Sequence, residues 1–192
     1  EEKQRIKQFM RDTYERVTQG LIAFPPVTDN SDSLNIGFAC EVMREFQPAI
    51  TVVNLSDVDG CHSDFTGYLR ALHRADHAVG HLWNYIQTQI PGMANDTVII
   101  ASPECGRNLQ HNPIKDVNDW YAYDHSDFNS SRVFTLMAGP SVPSNLVLGS
   151  ENNSIGFTSD NVPTIAEILG VKDEVMNAGF LQPEARSLFE RI

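Results

Sequence analysis

AITVVNLSDVDGCHSDF, residues 49–65, sets a β-branched apolar run directly against a concentration of polar donors: Asp57, Asp59, Cys61, His62 and Asp64 within eight positions. A short Val/Ile/Thr run closed by turn residues reads as a strand. The next two segments decide how that strand is used. Residues 66–90, TGYLRALHRADHAVGHLWNYIQTQI, carry apolar positions at helical spacing, and DTVIIAS, residues 96–102, is a second apolar run. Strand, long helix, strand is a βαβ unit and predicts an α/β sheet.

Outward from this unit the order continues. Residues 1–19 read as a helix, FPPVTDNSDS (24–33) as a loop, and LNIGFACEVMREF (34–46) as a helix capped by Ser31 or Ser33, with Cys40 on its apolar face. Beyond the second strand, RVFTLMAGP (132–140) reads as a third strand and DNVPTIAEILG (160–170) as a helix ended by Gly170. The three apolar runs are expected to be neighbouring, mainly parallel strands. The polar, aromatic stretch 103–131 is too long for a plain connector, which marks it as part of a site.

Composition narrows the function classes. With 192 residues, 41% of them apolar, the chain can bury a core and reads as one domain over 1–192. A formal charge of -11, from 14 basic and 25 acidic residues, disfavours nucleic acid and anionic membrane surfaces as partners. No apolar run is long enough to span a bilayer. Three cysteines without a close pair argue against a disulfide framework, and the glycosylation-type tripeptides at Asn54, Asn95, Asn129 and Asn152 carry no weight in so Asn- and Ser-rich a chain. The first residues read as a helix already under way, without an initiator methionine, so upstream sequence is expected.

In open α/β sheets, ligands bind beyond the carboxyl ends of the strands. Asp57, Asp59 and His62 follow the first run; Glu104, Cys105 and Arg107 follow the second, in SPECGRN; Asp124 and His125 close the long loop, in YAYDHSDF. Carboxylates and imidazoles from three separated segments are the donor set of a borderline divalent metal such as Zn²⁺ or Mn²⁺. Plainer readings stand beside this one: Asp57 and Asp59 as turn residues, His62 as a solvated loop residue, Cys105 as a small buried apolar side chain. His73, His77 and His81, with Asp76 among them, share one helix face, but the supporting Glu of a helical zinc motif is absent and the stripe reads as a solvated or partly buried face.

The order Asp-x-x-His, long helix, strand, acidic-x-Gly-Arg and a late Asp-His resembles the carboxyl-terminal half of the alkaline phosphatase superfamily. More closely, SPECGRNLQHN, YDHSDF, FTLMAGPSV and LGSENNSIGFTSDNVPTIAEILGV are similar to an uncharacterised sulfatase-like family with Glu-Phe-Gly-Arg-Thr and Gly-Arg-Asp-His motifs, over about residues 34–171. The resemblance implies a three-layer α/β fold with a mainly parallel sheet, present here as the carboxyl-terminal part of a larger domain. It also implies divalent metal, zinc foremost, at one or two ions per complete domain, hydrolysis of small or polymer-bound phosphate or sulfate esters, and an extracytoplasmic location.

By the same resemblance Asp59, favoured over Asp57, holds a first metal with His62 and His125. Glu104, with Cys105 where most members have a histidine, belongs to a second metal that also needs an upstream Asp and a nucleophile not found in this chain. Arg107 would bind a phosphate or sulfate oxygen, or form a structural ion pair. An amino-terminal segment of the same protein is then expected to cover exposed strand edges. The alternative is a degenerate member that keeps the fold as a binding or structural module.

Overall fold

The computed structural model describes residues 1–21, 31–59 and 62–191. The expected loop at 24–33 lies outside these up to Asn30, as does Cys61. The chain is mixed α/β and forms two compact units: residues 1–97 with 107–126, and residues 98–106 with 127–191.

The first unit is built on three helices, α1 (Glu2–Thr18), α2 (Ser31–Phe46) and α3 (Phe65–Gln89). α2 buries Ile36, Ala39, Cys40 and Met43, and α3 buries Ala71, Ala78, Leu82 and Ile86; both sets recur at one- and two-turn intervals and pack α2 on α3. Burial pushes the Cys40 thiol up to about 12, so it behaves as a small apolar residue. At one end of this contact Tyr85 donates its hydroxyl to buried Glu41 at 2.8 Å, and Arg44 pairs with the same carboxylate. α1 joins through Phe9, edge-on to Phe46 at 5.2 Å, with Arg5 over that same ring.

α3 starts where Asp64 accepts from the Gly67 N–H at 2.8 Å. A Cβ on Gly67 would stand 2.5 Å from the Asp64 carboxylate, so a glycine permits this cap. The run 49–53 is a correction to the sequence reading. It pairs with no strand among the described residues, and most of its side chains are exposed, Val52 by 89%. β-branched residues favour an extended backbone, but a ladder exists only where a second strand lies alongside. The run is held instead at its end, where the Asn35 amide donates to the Asn54 carbonyl at 3.2 Å.

The second unit holds β1 (Ile99–Ala101) and β2 (Leu136–Ala138), paired in the register Ile99 to Ala138 and Ala101 to Leu136. They run antiparallel, where a parallel sheet was expected. The cause lies in the flanks of their connection. Ser102 Oγ donates to the Phe134 carbonyl at 3.1 Å and the Gly106 N–H to the Ser130 carbonyl at 2.6 Å, which turns the chain back alongside itself, whereas parallel pairing needs a crossover.

α4 (Asn161–Ile168) closes at Gly170, φ +71°, with the Val171 N–H reaching the Ala166 carbonyl, a Schellman ending as the glycine predicts. α5 (Lys172–Asn177) comes next. Fully buried Asp160 organises this end: it accepts from the Phe157 and Arg186 N–H groups at 2.8 and 3.0 Å and pairs with Arg191 at 2.7 Å. Burial alone would raise its carboxyl; Arg191 and the two N–H groups outweigh that and hold it below the usual range.

Candidate metal centre

Two loops of the first unit carry the candidate ligands, and buried or capped carboxylates anchor both. The loop after the 49–53 run is tied to the start of α2. Asp32, with no exposed surface, accepts from the Ser56 and Asp57 N–H groups at 2.8 and 3.3 Å. In return, Asp57 accepts from the Ser31 hydroxyl and from the Asp32 N–H at 3.4 Å. Burial pushes the Asp32 carboxyl up, the two N–H groups pull against that, and the charge on Asp57 adds to the rise.

The second loop is an irregular hairpin spanning residues 107–126. Its arms are joined where the Asn108 N–H meets the Asp124 carbonyl, the Asn112 N–H the Ala122 carbonyl, and the Asp116 N–H the Trp120 carbonyl. Asp116 locks the tip. It accepts from the Thr66 hydroxyl at 2.6 Å, from the Thr66 N–H at 2.9 Å, and from the Asn118 and Trp120 N–H groups, so the tip docks on the first turn of α3. The Thr66 hydroxyl is the chief cause holding Asp116 down to about 2, with the backbone N–H groups assisting. Phe65 packs against Trp120 and Tyr123 at ring separations of 5.8 and 5.7 Å. Finally, the Asn112 amide donates to the His62 carbonyl at 2.9 Å, joining hairpin to ligand loop.

This scaffold brings Asp59, His62 and His125 together: one candidate donor atom from each lies within 4.8 Å of the others. His62 Nε2 stands 3.3 Å from Asp59 Oδ1, and His125 Nε2 3.9 Å from the same oxygen. Donors bound at about 2.0–2.1 Å to one tetrahedral ion are separated by about 3.3–3.4 Å. The first pair meets that spacing and the second exceeds it by about half an ångström, within reach of a small side-chain rotation. The two imidazole rings are 4.7 Å apart, centroid to centroid. Two nitrogens and a carboxylate oxygen suit a borderline ion better than a hard one.

Asp124 has a role the spacing did not reveal. Its Oδ1 meets His62 Nδ1 at 3.0 Å and accepts the His125 N–H at 2.8 Å. His62 is thereby held with Nε2 turned to Asp59, the carboxylate–imidazole arrangement that fixes the tautomer of a metal-binding histidine. The His125 N–H, then His62, hold the Asp124 carboxyl below its ordinary value, so it is charged wherever the imidazoles can act as ligands. The Asp-His dipeptide alone offered the one available signal.

The other expected residues fall elsewhere. Asp57 is engaged at the start of α2, as the turn reading allowed. Glu104 and Cys105 belong to the second unit, Glu104 exposed, with Cys105 Sγ 4.0 Å from Glu104 Oε1. Arg107, in the first unit, donates to the Val58 carbonyl at 2.8 Å. On α3, His73 and His77 are exposed and edge-on at 4.7 Å, and join no three-ligand group among the described residues.

No described helix is long and apolar enough to cross a membrane. Comparison of the chain with protein-family models, curated proteins and solved structures finds no match to any of them.

Proposed function

We propose that this chain carries the metal-ligating portion of an alkaline phosphatase-like hydrolase of phosphate or sulfate esters, with Asp59, His62 and His125 holding one divalent ion, zinc the best match to the donors. The observation that carries the reading is the convergence of two imidazoles and a carboxylate from separate loops, with His62 oriented by Asp124. A bound ion of this kind polarises an ester oxygen or activates water. The chain's own contribution is to supply three donors on anchored loops and leave the ion reachable, since the Asp59 side chain is 64% exposed.

Glu104 and Cys105 would serve a second ion, with a nucleophile and further Asp from an amino-terminal segment; an extracytoplasmic location belongs to the same resemblance. A binding or structural module is the competing reading. Zinc titration of wild-type protein and of His62→Ala and His125→Ala, with turnover of 4-nitrophenyl phosphate and sulfate, separates the two. One ion bound by wild type and lost in both variants is expected. Equal zinc content in all three would overturn the ligand assignment, and a zinc-loaded protein inert in its full-length form would favour the module.

A further inference from the structure

The sequence places Arg107 beside the ligand clusters, where it could bind an anion or form a structural ion pair. The side chain does something different with the groups it reaches. Nη2 donates to the Val58 carbonyl at 2.8 Å, and Nη1 faces the Tyr123 carbonyl at 3.5 Å. Val58 immediately precedes Asp59, and Tyr123 immediately precedes Asp124 and His125. The guanidinium also lies over the Tyr68 ring at 5.2 Å, on the first turns of α3.

We infer that Arg107 is a positioning residue: one planar cation joins the main chain just before Asp59 to the main chain just before Asp124 and His125, and so sets the spacing of the candidate ligands. This rests on the reading of Asp59, His62 and His125 as a metal site. The geometry suits arginine in particular. A guanidinium presents N–H donors in a rigid fork that can address two carbonyls at once, with the Tyr68 ring beside it. A lysine ammonium could reach one carbonyl but could not hold the angle between two. The separation being set matters, because His125 Nε2 to Asp59 Oδ1, 3.9 Å, is the distance that must shorten for both groups to bind one ion.

The test uses Arg107→Lys and Arg107→Gly with two independent readouts. In metal-free protein, amide hydrogen exchange is followed in peptides covering residues 54–64 and 120–127. Both segments should exchange faster in each variant, while α2 and α3 stay protected. In the second readout, zinc or cobalt affinity should fall about 10- to 100-fold, the range for loss of a group supporting metal ligands. Millimolar guanidinium should restore part of it in Arg107→Gly but not in Arg107→Lys.

Unchanged exchange in both segments would overturn the inference. So would unchanged metal affinity accompanied by weaker binding of inorganic sulfate or phosphate, which would make Arg107 an anion ligand. If exchange accelerates but wild-type protein binds no metal, the clasp stands and the metal reading falls.

Discussion

Replacing Asp32 by alanine and by asparagine tests what a fully buried carboxylate contributes, and how that contribution changes with pH. Its Oδ1 takes the Ser56 and Asp57 N–H groups at 2.8 and 3.3 Å, and its Oδ2 is buried without a partner among the described residues. Hydrogen bonds to a charged acceptor contribute about 1.5–3 kcal/mol when well formed. With one good bond and one long one, the pair is worth about 3 kcal/mol. Against this stands the unsatisfied buried oxygen, which costs about 1–3 kcal/mol and which alanine removes. Asp32→Ala should therefore lose at most about 2 kcal/mol at pH 7. Asp32→Asn keeps an acceptor for both N–H groups and removes the buried charge, but its amide NH2 takes the buried, unpartnered place of Oδ2, so it should lose about 1–2 kcal/mol at pH 7.

The pH dependence of Asp32→Asn carries a definite sign. The Asp32 carboxyl lies above its unfolded value of 3.8, so the folded state holds the proton more tightly. Wild-type stability from this group is fully present below 3.8 and falls as pH rises through the folded value. Asn has no such loss, so its stability relative to wild type should improve from pH 4 to pH 7. Urea unfolding followed by far-ultraviolet circular dichroism across that range measures it. If Asn loses ground against wild type as pH rises, the charge itself holds the loop and the reasoning fails.

The other anchors give two more expected outcomes. Asp116, held down to about 2 chiefly by Thr66, should keep the hairpin tip docked above the unfolded value of 3.8 and release it as pH falls through about 2; Trp120 emission should report that step in wild type and not in Asp116→Asn. Gly106→Ala would place a Cβ 2.6 Å from the Arg132 carbonyl, with the Asn129 and Ser130 carbonyls 3.4 Å away, and main-chain atoms cannot yield cheaply, so thermal unfolding should show a loss of about 1–3 kcal/mol.

Helical spacing was legible in part: Ile36, Cys40 and Met43 share one face and Gly170 stops a helix, but on α3 the leucines that look like packing positions, Leu69 and Leu72, are exposed, and the buried face is Ala71, Ala78, Leu82 and Ile86. The two apolar runs at 96–102 and 132–140 do contain strands. Their direction was not legible, because hydrophobic pattern is the same for parallel and antiparallel neighbours, and the deciding bonds come from Ser102 and Gly106 across a long loop. The 49–53 run shows the same limit, since β-branching specifies an extended backbone without naming a partner. Arg107 was visible as a cation near the clusters, but which groups its fork reaches depends on where Val58 and Tyr123 are brought by folding.

The acidic richness of the first unit reads differently once each carboxylate is followed to its donors. Asp32 takes the Ser56 and Asp57 N–H groups, Asp57 that of Asp32, Asp64 that of Gly67, Asp116 those of Thr66, Asn118 and Trp120, and Asp124 that of His125. Asp64 caps the start of α3 and Asp116 closes the hairpin tip, while Asp32 and Asp57 tie the 56–57 loop to the start of α2 and Asp124 holds the main chain at His125. Asp59 accepts from no main-chain N–H among the described residues; its partners are the Nε2 atoms of His62 and His125. Asp59 caps nothing and sits on a loop held from both sides. The same position, in reach of two imidazoles and open to solvent, is where a divalent cation would find its third donor, and this is why the ligand assignment favours Asp59 over Asp57.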